Sequence, residues 1–203
     1  IFPQTTISRN DFIGNTIRDN GTNGVSMSDN GFPFTNQIFL RNVIVRNGSV
    51  GVDVAGVQRA VFVNNVIYGH LSRGIRLKPQ GISLTRTNSL VNNILFSNGS
   101  VGITNAAIGT SFLFNDVFGH IRNYANSLAL VVSNGNIAAD PIFSNAAAGN
   151  FRLSGPTPLS PCVDAGTTNL DPLGSGPEGT RSSSARSGRG RAELQPVVGG
   201  GDR

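Results

Sequence analysis

The sequence has few of the residues that build helices, disulfides and cysteine-bound metal sites. Its 203 residues include one lysine (Lys78), one methionine and no tryptophan, and charged residues make up only 13% of the chain. This composition, which is rich in glycine and asparagine, favours strands and tight turns over helices. The single cysteine, Cys162, excludes an internal disulfide and a cysteine-based metal site. No apolar run reaches the length of a transmembrane helix, so we expect no membrane span.

Acidic residues are scarce as well. The chain has 16 lysines and arginines against 11 aspartates and glutamates, which gives a formal net charge of +5. Calcium takes about six or more oxygen ligands, and no acid cluster supplies them, so we expect no cofactor and leave calcium open as the alternative. A positive excess suits an acidic partner such as a uronic-acid polysaccharide or a nucleic acid. Scattered arginines can equally well serve only to solvate the surface.

What the sequence does contain is a repeat, which is clearest in Ser89–Ile103 (SLVNNILFSNGSVGI). Four further stretches fit the same frame: Asp11–Val25, Ile38–Val52, Val61–Ile75 and Ser111–Ala125. Their central asparagines are spaced by 27, 23, 28 and 22 residues: Asn15, Asn42, Asn65, Asn93 and Asn115. Apolar residues stand two positions before and two positions after each asparagine, which is the alternation of a β-strand. We therefore expect both apolar positions to face the interior of a stack of similar units.

A second short strand follows in each repeat, after a turn that contains Asn or His. These strands read GVSM, GVDV, GIRL and GITN and begin at Gly24, Gly51, Gly74 and Gly102. Coils of this length, stacked at roughly 4.8 Å, have the geometry of a parallel β-helix. We predict an all-β fold, a right-handed single-stranded parallel β-helix of about five to six coils.

Two columns of polar side chains run along the predicted stack. The first contains the central asparagines, and the second contains Asn20, Asn47, His70, Asn98 and His120. A side-chain amide both donates and accepts hydrogen bonds, so stacked asparagines can bond head-to-tail along the axis. We therefore interpret both columns, including the two histidines, as structural ladders rather than catalytic groups.

The repeat ends near Asn126, and the composition changes twice after it. Pro156, Pro158 and Pro161 exclude regular structure around them, and we expect an irregular cap over the last coil from about residue 139. The predicted domain is thus a β-helix with its cap at residues 1–169, followed by a tail at 170–203. The tail is rich in Gly, Ser and Arg, so we expect it to be disordered, and we interpret its basic run Arg186–Arg191 as solvated, without a specific nucleic-acid partner. Because the chain starts at Ile1 rather than Met, we expect a processed product or a fragment.

Two sets of motifs carry a resemblance to a known family. The repeats NNILFSNGSVGI, NNVIYGH and RNVIVRNGSVGV resemble bacterial right-handed parallel β-helix proteins of the pectate-lyase-like superfamily. The segment Ala139–Thr167 is similar to the closing segment of many secreted members, through Asp140–Phe143, Gly149–Leu153, Ser160–Pro161 and Asp164–Gly166. The resemblance implies a secreted or cell-surface protein. We expect it to be a monomer.

Candidate chemistry lies where one coil, Ser72–Gly81, departs from the repeat. Strand alternation places Ser26, Asp53, Arg76 and Thr104 in one exterior column, so Asp53 and Arg76 should be neighbours on adjacent coils. Polysaccharide lyases of the superfamily remove the proton next to a carboxylate with a Lys or Arg base. The resemblance thereby implies three catalytic candidates, which are Lys78, Arg76 and Arg73. It implies two substrate-binding candidates, which are Asp53 and Arg86. The alternative is a surface ion pair between Arg76 and Asp53 beside a solvated Lys78.

Two functions stay open on the sequence. The first is a secreted carbohydrate-active module that binds an acidic polysaccharide or cleaves it by lyase-like β-elimination. The second is a non-catalytic structural or adhesive module of the cell surface, in which the β-helix is a stiff rod. Glycoside hydrolysis is less well supported, because it uses two carboxylates across a cleft and the repeats contain no such pair.

Overall fold

The chain folds as an all-β stack of coils. The computed structural model describes residues 9–28, 34–79, 87–126, 134–155 and 157–168. Strands, bridges and turns make up the regular structure of these residues. They contain no helix of the length and apolarity that a membrane crossing requires.

The strands follow one another coil by coil. Coil 1 contains β1 (Asp11–Ile13), β2 (Thr16–Arg18) and β3 (Val25–Ser28). Coil 2 contains β4 (Phe34–Thr35), β5 (Ile38–Leu40), β6 (Val43–Val45) and β7 (Val50–Ala55). Coil 3 contains β8 (Val57–Gln58), β9 (Val61–Val63), β10 (Val66–Tyr68) and β11 (Arg73–Lys78). Coil 4 contains β12 (Ser89–Val91), β13 (Ile94–Phe96) and β14 (Val101–Asn105), and coil 5 contains β15 (Ser111–Leu113), β16 (Asp116–Phe118) and β17 (Arg122–Ala125). A hairpin of β18 (Phe143–Asn145) and β19 (Asn150–Leu153) follows.

Corresponding strands of successive coils pair in parallel and build three five-stranded sheets. The first sheet contains β1, β5, β9, β12 and β15; the second contains β2, β6, β10, β13 and β16; the third contains β3, β7, β11, β14 and β17. An isolated parallel bridge between Asp116 and Ile137 begins a sixth coil. The predicted fold class, a right-handed parallel β-helix, is therefore confirmed.

The interior of the coil is a continuous apolar core. The middle residues of the second-sheet strands stack inward as predicted: Ile17, Ile44, Ile67, Leu95 and Val117. In the first sheet the inward residues stand three positions before each Asn: Phe12, Phe39, Phe62, Leu90 and Phe112. The rings of Phe12, Phe39 and Phe62 stack face to face, with centroids 4.7 and 4.5 Å apart.

This inward column corrects the prediction for the position two before each Asn. The residue directly before the Asn has a left-handed backbone, with φ values of 65°, 55°, 56°, 54° and 53° at Gly14, Arg41, Asn64, Asn92 and Phe114. That turn ends the first strand and interrupts the alternation of inward and outward side chains. The single strand that was predicted around each central Asn is therefore two strands, which lie in different sheets. Ile13, which was expected inside, is accordingly 53% exposed.

The first polar column is a continuous hydrogen-bonded ladder. The backbone N–H and the Nδ2 of each Asn donate to Oδ1 of the Asn one coil later, at 2.8–3.2 Å, from Asn15 through Asn115 to Asn136. Nδ2 also donates to a main-chain carbonyl of the preceding coil, as Asn65 does to Phe39 at 2.8 Å. The ladder satisfies polar groups inside the coil, which confirms its predicted structural role.

The second column uses histidine in the same way. Nδ1 of His70 accepts a hydrogen bond from the backbone N–H of Asn47 at 3.0 Å, and Nδ1 of His120 accepts one from Asn98 at 3.1 Å. Nε2 of His70 lies 3.0 Å from the carbonyl oxygen of Ile44, so the ring proton of this histidine is on Nε2. Burial lowers the pKa of both histidines to about 4 and keeps them neutral. Both are ladder residues, as predicted.

After coil 5 the chain folds back along the outside of the second sheet. Phe143 and Phe151 of the antiparallel hairpin, together with Ala146, pack on outward apolar residues of that sheet: Val43, Val45, Val66 and Tyr68. The segment that was expected over the last coil therefore lies along the side of the stack, where these residues need cover from water. Residues 170–203 lie outside the described residues, so the predicted boundary at 169 and the predicted disorder stay predictions.

Candidate functional site

Asp53, Arg76 and Lys78 meet on the outer face of the third sheet. Asp53 and Arg76 are direct partners in the parallel pairing of β7 with β11. Because Ile75 and Leu77 are buried in the core, Arg76 and Lys78 point outward as predicted. Arg76 donates from Nε at 2.7 Å and from Nη2 to the two carboxylate oxygens of Asp53, and Lys78 Nζ lies 3.6 Å from Oδ2.

In this cluster two cations share one carboxylate. The side chain of Asp53 is 8% exposed, whereas those of Arg76 and Lys78 are 30% and 41% exposed. Burial raises the pKa of Asp53, but the hydrogen bonds from Arg76 and the charges of Arg76 and Lys78 outweigh it and hold the pKa below its usual value. The same hydrogen bonds raise the pKa of Arg76. The cluster therefore presents the positive charges of Arg76 and Lys78 to solvent, and the carboxylate of Asp53 lies beneath them.

Small side chains continue this face along the stack. Ser26 and Thr104 are the partners of Asp53 and Arg76 on the neighbouring coils, and Ala55 is the partner of Lys78. The predicted exterior column is therefore confirmed, and the two cations stand above a row of short residues.

Of the two other predicted residues, the structure describes Arg73, which makes no hydrogen bond or ion pair with this cluster. Arg73, at the start of β11, donates from Nη1 to Ser72 Oγ at 3.2 Å, and its buried Nε has no hydrogen-bond partner within the described residues. Arg86 lies outside the described residues. In the part of the chain that the structure describes, no three His, Cys, Asp or Glu side chains are grouped as a metal site requires.

A second cationic feature lies beside the tip of the β18–β19 hairpin. The hairpin tip and the outer surface of coils 1 and 2 enclose a cleft of about 610 Å³. The partly exposed Val43 and the buried Val45 of β6 lie at its base, and residues 148–152 form one wall. Four arginines line it: Arg18, Arg41, Arg46 and Arg152. We call this feature the arginine cleft.

One carboxylate contacts the arginine cleft within the described chain. Asp19 Oδ1 lies 3.0 Å from Nε of Arg46, and its Oδ2 lies 3.8 Å from Nε of Arg18. Arg46 also donates from Nη1 to the carbonyl oxygen of Ala147 at 3.4 Å, which ties the hairpin tip to coil 2. The cleft therefore holds four positive charges and one negative charge.

Reasoning from the sequence did not find the arginine cleft. Arg152 is far along the chain from the other three arginines, and its place depends on where the hairpin docks. One signal was present, because the outward positions Val45, Tyr68, Phe96 and Phe118 are all apolar. A strand that is apolar on both faces is covered on both faces, which predicts a segment packed over the second sheet.

Fold and site together define a parallel β-helix. Its two interior columns of Asn and His side chains form hydrogen-bonded ladders, and most of its ionisable groups lie on its outer faces. No protein-family model matches the chain, and none of the curated proteins matches it. Among solved structures, it is similar to the crystal structure of the periplasmic alginate epimerase AlgG, at 17% sequence identity and a TM-score of 0.47. That match covers 61% of this chain and 30% of AlgG, so this chain spans less than a third of AlgG's length. Membership of the pectate-lyase-like superfamily stays a prediction.

Proposed function

We propose that the protein binds an acidic polysaccharide on the outer face of the third sheet. One observation carries the proposal: Arg76 and Lys78 converge on Asp53, and the two cations are partly exposed while the carboxylate is nearly buried. A sugar carboxylate that approaches this face meets the guanidinium and ammonium groups before it meets Asp53. Arginine and lysine are the side chains that recognise carboxylates. An extracellular or cell-surface location fits such a ligand.

The same geometry favours binding over cleavage. A lyase base must accept a proton, but the contact of 3.6 Å between Lys78 Nζ and Asp53 is an ion pair that uses the ammonium form. Arg76 is committed to Asp53 through two hydrogen bonds. We therefore propose binding, and the experiment below also tests for lyase-like elimination by Lys78, Arg76 or Arg73.

Four of the described acids, which are Asp11, Asp19, Asp53 and Asp116, give hydrolysis no support. Asp11 is paired with Arg9, Asp19 with Arg46, and Asp53 with Arg76. Asp116 is 3% exposed and accepts a hydrogen bond from the thiol of Cys162 at 3.0 Å. None of these carboxyl groups faces another across a cleft, as glycoside hydrolysis requires.

Calorimetric titration with pectate, alginate, a glycosaminoglycan and a neutral mannan tests the proposal. We expect binding to the acidic polymers that weakens with salt, and an affinity about fivefold lower for Lys78→Gln. Arg122→Gln is the matched control, because it removes one exposed cation from β17 of the same sheet. Equal binding of mannan, or equal affinity of both variants, would contradict the proposal.

Absorbance of unsaturated uronate products in the same mixtures separates binding from cleavage. Product that forms with the wild type and disappears with Lys78→Gln would make the protein a lyase. Binding of none of the four polymers would instead favour the alternative, a structural or adhesive rod.

A further inference from the structure

We propose that the arginine cleft is a second binding site, which takes the carboxylates of a short acidic oligosaccharide. It lies on the second sheet and shares no residue with the Asp53–Arg76–Lys78 cluster. The inference therefore does not rest on the function proposed for the third sheet.

Charge is the first argument. Arg41 and Arg152 are exposed, line the cleft and contact no carboxylate within the described residues. Arg18 is 61% exposed and only distantly paired with Asp19, at 3.8 Å. Three guanidinium groups are thus open to a ligand, while Arg46 holds Asp19 and the hairpin tip in place. Each guanidinium can bind a carboxylate through two parallel hydrogen bonds.

The rest of the lining suits a sugar rather than a bare anion. Val43 gives partly exposed apolar surface for the carbon face of a sugar ring, beside the buried side chains of Val45 and Phe151, and Asn15 and Asn150 give amides for its hydroxyl groups. The volume of about 610 Å³ lies within the range of small-molecule sites. An inorganic anion would leave most of this lining without a contact.

The backbone at Arg41 determines which variant tests the site. Arg41 and Arg46 stand at the two ends of β6, and both have a left-handed backbone, with φ of 55° and 50°. The position of Arg41 is taken by Gly14, Asn64, Asn92 and Phe114 in the other coils, and the first three are residue types that this conformation favours. Asn at position 41 should therefore keep this turn while it removes one guanidinium group from the cleft.

Arg41→Asn is the decisive variant, because it gives coil 2 the residue that coils 3 and 4 already have. We expect its melting temperature to equal or exceed that of the wild type, while its affinity for a short oligogalacturonate falls about fivefold. Arg59→Asn is the matched control: Arg59 is also exposed, also has a left-handed backbone (φ 57°) and lies before β9, outside the cleft. Arg41→Asn/Arg152→Gln should bind about twentyfold more weakly than the wild type.

Fluorescence titrations at about 0.15 M salt would use oligogalacturonate, a neutral oligosaccharide and inorganic phosphate as probes. Selective binding of oligogalacturonate that falls in the two Arg41 variants and not in Arg59→Asn supports the second site. Equal affinity of Arg41→Asn and Arg59→Asn overturns it, and phosphate that binds as tightly as oligogalacturonate overturns the assignment to a sugar. Lys78→Gln separates the two proposals, because it should leave the affinity of this short probe for the cleft unchanged.

Discussion

Replacement of His70 by Asn should remove much of the acid sensitivity of the fold. Asn is the residue that the same column has at Asn47 and Asn98, so the ladder can be kept. The amide of Asn98 already donates to the carbonyl of Ile67 at 3.0 Å, as the ring of His70 pairs with that of Ile44. The variant therefore changes the titration of one buried group and conserves its hydrogen bonds.

The magnitude follows from the pKa of His70. Burial lowers it to about 4 in the folded protein, against about 6.5 in the unfolded chain. Between these values the unfolded chain binds a proton that the native protein does not, so stability rises with pH across this window. The stabilisation is complete above about pH 6.5 and is lost as the pH falls towards 4, and it amounts to about 3 kcal/mol for His70. Burial lowers the pKa of His120 as well, so this residue changes stability with pH in the same direction.

Urea unfolding followed by circular dichroism at pH 7 and pH 4.5 measures the effect. At pH 7 His70→Asn should lie within about 1 kcal/mol of the wild type, the loss reflecting space left beside Gly51, against which the ring packs. At pH 4.5 it should be the more stable of the two proteins by about 2 kcal/mol. Equal losses of stability in both proteins between pH 7 and 4.5 would refute the neutral, buried histidine.

Three further variants test the energetics of other buried groups. Burial raises the pKa of Asp116 to about 6, so ionisation of its carboxyl group lowers the stability of the fold as the pH rises from about 4 to 6. Asp116→Asn should therefore raise the free energy of unfolding at pH 7 by up to about 3 kcal/mol and change it little at pH 4. Asn93→Ala removes a fully buried rung and should cost about 3–5 kcal/mol in urea unfolding, against less than about 1 kcal/mol for the exposed rung Asn15→Ala. Arg76→Ala leaves the carboxylate of Asp53 nearly buried with only Lys78 beside it and should lower stability by about 2 kcal/mol, and Asp53→Asn in the same protein should restore part of the loss. Without that recovery, the two residues are not coupled.

The sequence predicted the coil and its outer columns because one residue type marks the register. The side chains of Asn42, Asn65 and Asn93 bond to one another from coil to coil, so aligning the asparagines aligns every strand. Asp53 and Arg76 could then be paired by counting from the ladder. Such counting succeeds wherever the chain repeats itself.

Counting from the ladder fails where a local backbone conformation or a contact between distant parts of the chain determines the position of a side chain. The left-handed residue before each Asn cannot be read from its identity, since Gly14, Arg41 and Phe114 all adopt it. That turn moved the inward column of the first sheet by one position. The arginine cleft depends on the docking of Phe143 and Phe151 across the second sheet, a contact that no repeat encodes.

The two ladders divide each coil into a fixed part and a variable part. Their rungs are always five residues apart, from Asn15 and Asn20 to Asn115 and His120, so every difference in coil length falls outside this interval. Most of it falls at the corner between the third sheet and the first, where Ala55 is followed within a few residues by Val61 but Lys78 is followed by Ser89 only after a longer connection. Evolution can lengthen or replace the chain at that corner without moving a strand. The same corner, for instance between Asn105 and Ser111, is where an engineered loop could be inserted into this scaffold at least structural cost.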